Sequence, residues 1–203
     1  MDEKPTNSSF SILSLYRADY SASLHVRAMA KLLAVSHVTL LPHCRWLEKS
    51  RILVSRRVGR NKEYLLNPNN FLTKYYILVA EQLVAIDYLE KNFLVKRLAE
   101  DLAGLNLTGA LILFGSYAKD YATDVSDIDI FYLGHLSDER KEEIRRFGTV
   151  YGKEIHLAAS TVRNFNEGLR SGDALVKEIM KNHVALQNPD PFLSILWRYY
   201  CER

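Results

Sequence analysis

The sequence predicts a two-part chain, α+β at its amino-terminal end and α/β at its carboxy-terminal end, with a helix joining the parts. Three observations lead there. Apolar runs at helical spacing are followed by a short basic hairpin. A turn cluster, Asn67-Pro68-Asn69-Asn70, then opens a long helical stripe. Beyond it, short apolar runs alternate with helical patterns, as in a sheet flanked by helices. The expected division is a first domain over 1–70, a connecting helix over 71–105 and a second domain over 106–203.

Composition bounds the rest. With 203 residues, 48% hydrophobic and 25% charged, the chain is long enough for a sizeable core and is not of the disordered class. No apolar run approaches the roughly 20 residues of a membrane span. The start, MDEKPTNSS, is polar and acidic, unlike a secretory leader. Cys44 and Cys201 make neither a close-spaced metal pair nor a disulfide framework, so a cytoplasmic protein with reduced thiols is expected. The net charge of +3 is uneven: residues 1–70 carry 11 Lys+Arg against 5 Asp+Glu, and the remainder 16 against 19. A basic first part points to nucleic acid or another polyanion.

Residues 10–15 and 24–35 are apolar at helical spacing, with Ala28, Ala30, Leu32 and Leu33 in a compact helix that Ser36 ends. Thr39 reads as the N-cap of a second helix through Lys49, with Pro42 in its first turn, where amide donors are unpaired anyway. Leu40, Leu41, Cys44 and Leu47 supply its core face, leaving His43, Arg45 and Lys49 for solvent or a ligand. Residues 52–58 and 63–67 read as strands around a Gly59-Arg60-Asn61-Lys62 turn.

Helix, turn, helix and basic hairpin, over VSHVTLLPHCRWLEKSRILVSRRVGRNKEYLLN, resemble a winged helix-turn-helix domain. The resemblance implies that the helix around 39–49 enters the major groove of duplex DNA while the hairpin touches the phosphate backbone. His43 and Arg45 would face bases, and Arg56, Arg57, Arg60 and Lys62 would meet phosphates. Winged helices also serve as protein–protein modules. The match departs at Arg51, where such domains have a turn glycine, and at Pro42, which shortens or bends the recognition helix.

From 71 to 105 the chain reads as one long helix, with Tyr75, Leu78, Val79, Leu83, Ile86 and Leu89 at three- and four-residue steps. Such a stripe is core or a subunit interface. Paired with its copy, it would make a homodimer suited to two DNA half-sites.

Residues 110–114 form a short apolar run, read as a buried strand, leading into Gly115-Ser116. Residues 126–133 read as a second strand, on which Asp127 and Asp129 point the same way. Two adjacent carboxylates repel unless a cation sits between them, and hard oxygen ligands suit Mg²⁺ completed by water and substrate phosphates. The glycine lets phosphate approach the backbone, and backbone N–H groups with the Ser116 hydroxyl can bind it.

Together, GSYAKDYATDVSDIDI resembles the signature of the DNA polymerase β-type nucleotidyltransferase superfamily, in particular its small (minimal) members. Asp120 departs from it, standing where the family has a second glycine. The likeness continues more weakly over about 95–195: a helix over 137–147 capped by Ser137 and stopped by Gly148, a strand over 153–159, and helices over 161–169, 174–183 and 192–201. It implies a mixed sheet flanked by helices, a nucleoside triphosphate held at Gly115 and Ser116, and Mg²⁺ held by Asp127 and Asp129.

The superfamily uses a third carboxylate, an Asp near the place of His156. Here Glu154 and His156 share one strand face, with Ile155 and Leu157 on the other. Either Glu154 is the third acid, one pleat displaced, or the acid is absent and His156 binds Mn²⁺ or acts as a base. The leading expectation is an enzyme that moves a nucleoside monophosphate from an NTP to an acceptor hydroxyl, with Glu154 or His156 handling the proton. The alternative is a DNA-binding regulator whose degenerate nucleotidyltransferase domain only senses nucleotide.

Overall fold

The computed structural model describes residues 5–201; the MDEK start and the last two residues lie outside it. The chain divides into two compact units, with the boundary between Leu83 and Val84.

In the first unit, α1 (Asn7–Ser14) opens with a capping box between Thr6 and Ser9 and buries Ile12 and Leu13. The run expected as a single helix over 24–35 is split. Leu24 and His25 form β1, paired antiparallel with Tyr64 and Glu63, and α2 spans Val26–Leu32. His25 is extended, and its Nδ1 accepts the Ala28 amide at 3.1 Å, so it is the N-cap; left-handed Ala34 (φ 53°) lies beyond the other end. The next helix, α3 (His37–Lys49), is capped by Ser36 rather than Thr39. Pro42 therefore lies past the first turn, inside the helix, where the missing amide bond to Val38 and the ring's clash with that carbonyl cost about 3 kcal/mol. The helix continues through it, and Leu40, Cys44 and Leu47 are buried as expected.

The α3 terminus closes with Ile52 N–H bonded to Leu47 O and Arg51 N–H to Glu48 O, both at 2.9 Å, with Arg51 at φ 57°. This is the left-handed closure that normally takes glycine. The backbone geometry of the glycine position is thus kept with arginine in place. β2 (Leu53–Val58) and β3 (Asn61–Leu66) pair antiparallel, with Val58 opposite Asn61. The turn is two residues, Gly59-Arg60, shorter than expected, with Gly59 at φ 59°. The sheet order is β1-β3-β2. Helix, strand, two helices and a hairpin make a winged-helix-like architecture.

α4 (Phe71–Lys91) and α5 (Phe93–Ala103) replace the single long helix, with the break at Asn92. The backbone there turns to ψ 81°, while the Asn92 amide and side chain both donate to Tyr88 O. The stripe at Tyr75, Val79, Leu83 and Ile86 is exposed; the opposite side of α4, with Ile77, Ala80, Ala85 and Tyr88, is buried. Glu81 is also fully buried, and Arg17 Nε meets its carboxylate at 2.7 Å.

The second unit contains a mixed sheet, in the order β6-β5-β4-β7. β4 (Ala110–Phe114) is wholly buried and pairs antiparallel with β5 (Ile128–Leu133) and with β7 (Val184–Gln187). β5 runs parallel to β6 (Ile155–Ser160), with α7 (Asp138–Val150) between them in sequence, as a parallel pair requires. Ser137 caps α7 as expected, but Gly148 lies within the helix rather than ending it; a Cβ there would meet Lys153 O at 2.5 Å. The strand β7 was not expected. One sheet face joins Leu111, Leu113, Ile128, Ile130 and Ile155 to Leu98 of α5 and Ile144 of α7. On the other, the Phe131 ring meets Phe165 of α8 (Val162–Ser171) at 5.3 Å, and Phe165 meets Phe192 of α10 (Pro189–Cys201) at 5.8 Å. α9 (Ala174–Lys181) buries Val176 and Ile179.

Candidate active site

β4 delivers the chain into Gly115, the first residue of the single turn α6 (Gly115–Ala118). Gly115 has φ 70°, a conformation that favours glycine. Its second constraint is contact: a Cβ would lie 2.0 Å from Asp129 Oδ2 and 2.8 Å from its Cγ. The Asp129 carboxylate is therefore pressed against the Gly115 backbone. Cross-strand register continues this row, with Phe114 opposite Asp129 and Asp129 opposite His156.

Asp127 stands just before β5 and Glu154 just before β6, and Ile128 N–H donates to Glu154 O at 2.9 Å. The structure thus gathers all four acid and imidazole groups expected from the sequence. His156 Nδ1 lies 3.5 Å from Asp129 Oδ1; His156 Nε2 lies 3.5 Å from Glu154 Oε1 and 3.9 Å from Asp127 Oδ2. One ligand atom each from Asp127, Glu154 and His156 fall within 4.8 Å of one another. Burial pushes the Asp129 carboxyl above the ordinary carboxylate range; the facing imidazole opposes this, and the Glu178 and Asp127 charges add to it. An under-solvated carboxylate in such company favours a neighbouring cation.

Two lysines shape the loop between Gly115 and Asp127, and sequence reading passed over both. Lys153 Nζ donates to Asp124 O at 2.6 Å and Ser126 O at 3.3 Å, tying the segment before Asp127 to the turn before β6. Lys119 Nζ meets Glu178 Oε1 of α9 at 2.6 Å. These are long-range contacts, and no local pattern announces them. Asp120, at φ 58°, holds the left-handed geometry of the glycine it replaces, as Arg51 does. A cleft of about 820 Å³ opens beside the acid cluster, lined by Phe114, Arg145, Thr149, Lys153, Glu154 and His156 among others.

The residues expected to meet DNA all lie in the first unit. Arg45 is exposed on α3, on the same side as Val38, Pro42 and Lys49. His43 is half-buried, with Nδ1 3.2 Å from Thr6 Oγ1. On the hairpin, Lys62 meets Glu48 at 2.6 Å and Arg56 meets Glu63 at 3.5 Å. Arg57 and Arg60 are exposed and make no ion pair among the described residues.

Residues 95–186 match the model of the nucleotidyltransferase domain family. No curated protein matches the chain. Among solved structures, reduced HlyU from Vibrio cholerae aligns over 38% of this chain and 77% of its own, at 20% identity and a TM-score of 0.33. A toxin–antitoxin crystal structure with AMP-PNP aligns over 54% of this chain and 80% of its own, at 15% identity and a TM-score of 0.34. At such scores neither likeness adds to what the chain's own topology displays. No helix among the described residues is long and apolar enough to cross a membrane.

Proposed function

We propose that the carboxy-terminal unit, whose residues 95–186 belong to the nucleotidyltransferase domain family, transfers a nucleoside monophosphate from an NTP to an acceptor hydroxyl. The observation that carries this reading is the seat of Asp129: pressed on Gly115, in register with His156 and raised by burial. Gly115, lacking a Cβ, leaves room for the Asp129 carboxylate against the backbone at the head of α6, and Ser116 beside it adds a hydroxyl for the triphosphate. Asp127 and Asp129 hold Mg²⁺, for which carboxylate oxygens are the preferred donors. When bound, the ion offsets charge on the triphosphate and on the phosphoryl being moved. Glu154 and His156, exposed at the start of β6, receive the acceptor proton. Lys153 keeps the loop before Asp127 in place.

The amino-terminal unit binds duplex DNA in this reading. Arg45 and His43 of α3 reach bases, and Arg57 and Arg60 meet phosphates. Arg56 and Lys62 contribute less, because each already faces a carboxylate. The exposed stripe of Tyr75, Val79 and Leu83 supports pairing of two copies.

One observation favours a second reading. His156 stands where the superfamily's third Asp is expected, which suits a DNA-binding regulator that senses nucleotide without transferring it. Label transfer from α-labelled ATP to any acceptor, the chain itself included, separates the two. Labelled product supports the enzyme; tight ATP binding with no labelled product supports the sensor.

A further inference from the structure

We propose that Glu178 of α9 is a positioning residue of the nucleotide site: through Lys119 it holds an ammonium group where the triphosphate of an NTP meets it. This role rests on the reading above that the unit binds an NTP; it does not require transfer.

Charge on the loop sets the need. The segment from Gly115 to Asp129 carries one basic residue, Lys119, against four aspartates, Asp120, Asp124, Asp127 and Asp129. A triphosphate approaching it is repelled by each carboxylate that no cation offsets. Lys119 ends the α6 turn three residues after Ser116, a spacing that puts two side chains on one side of a helical turn. Ser116 O accepts the amides of Lys119 at 3.3 Å and Tyr121 at 3.2 Å. The backbone that carries the ammonium thus closes on the residue that offers the hydroxyl.

A lysine ammonium on its flexible four-carbon stem samples many rotamers when nothing holds it. Here it is fixed. Nζ of Lys119 meets Glu178 Oε1 at 2.6 Å and lies 3.4 Å from the Tyr121 hydroxyl. Glu178 has a local candidate partner in Lys181, one helical turn on along α9, yet makes no ion pair with it among the described residues. Its carboxylate reaches instead to the loop, 59 positions away in sequence. Val176 and Ile179, both buried, anchor the helix from which it does so. Glu178 is also close enough to Asp129 for its charge to be felt there. It stands beside the acids of the site, where an unmatched carboxylate opposes a triphosphate, and Lys119 neutralises it. An ammonium has three N–H groups, so Glu178 leaves donors for phosphate oxygens. The competing account is a surface tether that joins loop to helix and never meets the ligand. With side chains 25% and 41% exposed, the pair adds little to stability either way.

The test titrates the full chain with α,β-methylene-ATP and Mg²⁺ in a calorimeter, with adenosine as the ligand that lacks phosphate. Lys119→Met should weaken binding of the analogue about 10–100-fold and leave adenosine unchanged. Glu178→Ala should weaken the analogue about 2–10-fold, the ordering of one freed lysine chain, and Glu178→Gln, which keeps an oxygen for the ammonium, should restore most of that. In the Lys119→Met background, Glu178→Ala should cause no further loss, because it acts only through the ammonium. Melting temperatures of all variants should stay near wild type. Unchanged analogue binding in Lys119→Met, equal losses for analogue and adenosine, or losses that add in the double variant overturn the proposal. A wild-type chain that binds no analogue overturns it together with the nucleotide reading. Analogue binding with these effects but no labelled product from α-labelled ATP sinks the transferase reading alone. Transfer with an ATP KM unmoved by Lys119→Met sinks the role of Lys119 and Glu178 alone.

Discussion

Replacing Gly115 with alanine perturbs the site through a contact that can be measured in advance. The new Cβ would fall 2.0 Å from Asp129 Oδ2, where real Cβ atoms stay beyond 3.0 Å, so the carboxylate must retreat by about 1 Å. A displacement of that size at reacting groups costs about 10²-fold in rate. Independently, alanine at φ 70° carries a left-handed penalty of about 1–2 kcal/mol. For a chain of this length that is a fall of roughly 2–8 °C in melting temperature. Gly59→Ala is the control: its φ is 59°, the same kind of strain, but nothing lies within 4 Å of the added Cβ. Initial rates of label transfer from α-labelled ATP, with melting curves for both variants, read the two effects separately. Gly115→Ala should lose about 10²-fold in rate, while Gly59→Ala keeps its rate despite a similar loss of stability. A folded Gly115→Ala variant that transfers at the wild-type rate would refute the claim that Asp129 must sit where it does.

Three further outcomes are expected. Mg²⁺ with an NTP should raise the melting temperature, reflecting about 2.7 kcal/mol at 100 times the dissociation constant, and Asp127→Asn with Asp129→Asn should remove the shift; a full shift in the double variant would place the nucleotide elsewhere. Duplex DNA binding should weaken with salt, and replacing Arg57 and Arg60 with alanine should flatten the log–log slope by about 1.8, more than the same change at ion-paired Arg56 and Lys62; equal effects from both pairs would contradict the hairpin's ion pairing. Burial first, and then the Glu48 charge, push the Cys44 thiol up to about 11, so a thiol reagent at neutral pH should label exposed Cys201 and reach Cys44 only on unfolding; early Cys44 labelling would mean that α3 opens locally.

What could be read from the sequence followed the range of the interactions involved. β4 matches its expected span because a short apolar run ending in glycine needs no distant partner to be recognised. The Ser137 cap is local too. By contrast, β1 exists only because Leu24 and His25 pair with residues about 40 positions on, and β7 only because it adds to β4. Neither short segment differs locally from the end of a helix. On α4 both sides carry apolar residues, so the stripe read from periodicity mixes exposed Tyr75, Val79, Leu83 and Ile86 with half-buried Leu78 and Leu89. Arg51 and Asp120 looked like departures from glycine positions, yet both keep the left-handed backbone. Within the site, His156 lies near Asp127, Asp129 and Glu154, although Asp127 and Glu154 stand just before their strands rather than on them as alternation had placed them. The lysines that brace it, Lys119 and Lys153, act across 59 and 29 residues and leave no trace in spacing.

Nucleotidyl transfer is tested by incubating the full chain with α-labelled ATP, divalent cation and a cell extract as the source of acceptor. A labelled acceptor species that depends on added cation and disappears in Asp127→Asn is expected. Saturable ATP binding with no labelled species at any cation or extract concentration would contradict it, leaving a nucleotide sensor in place of an enzyme.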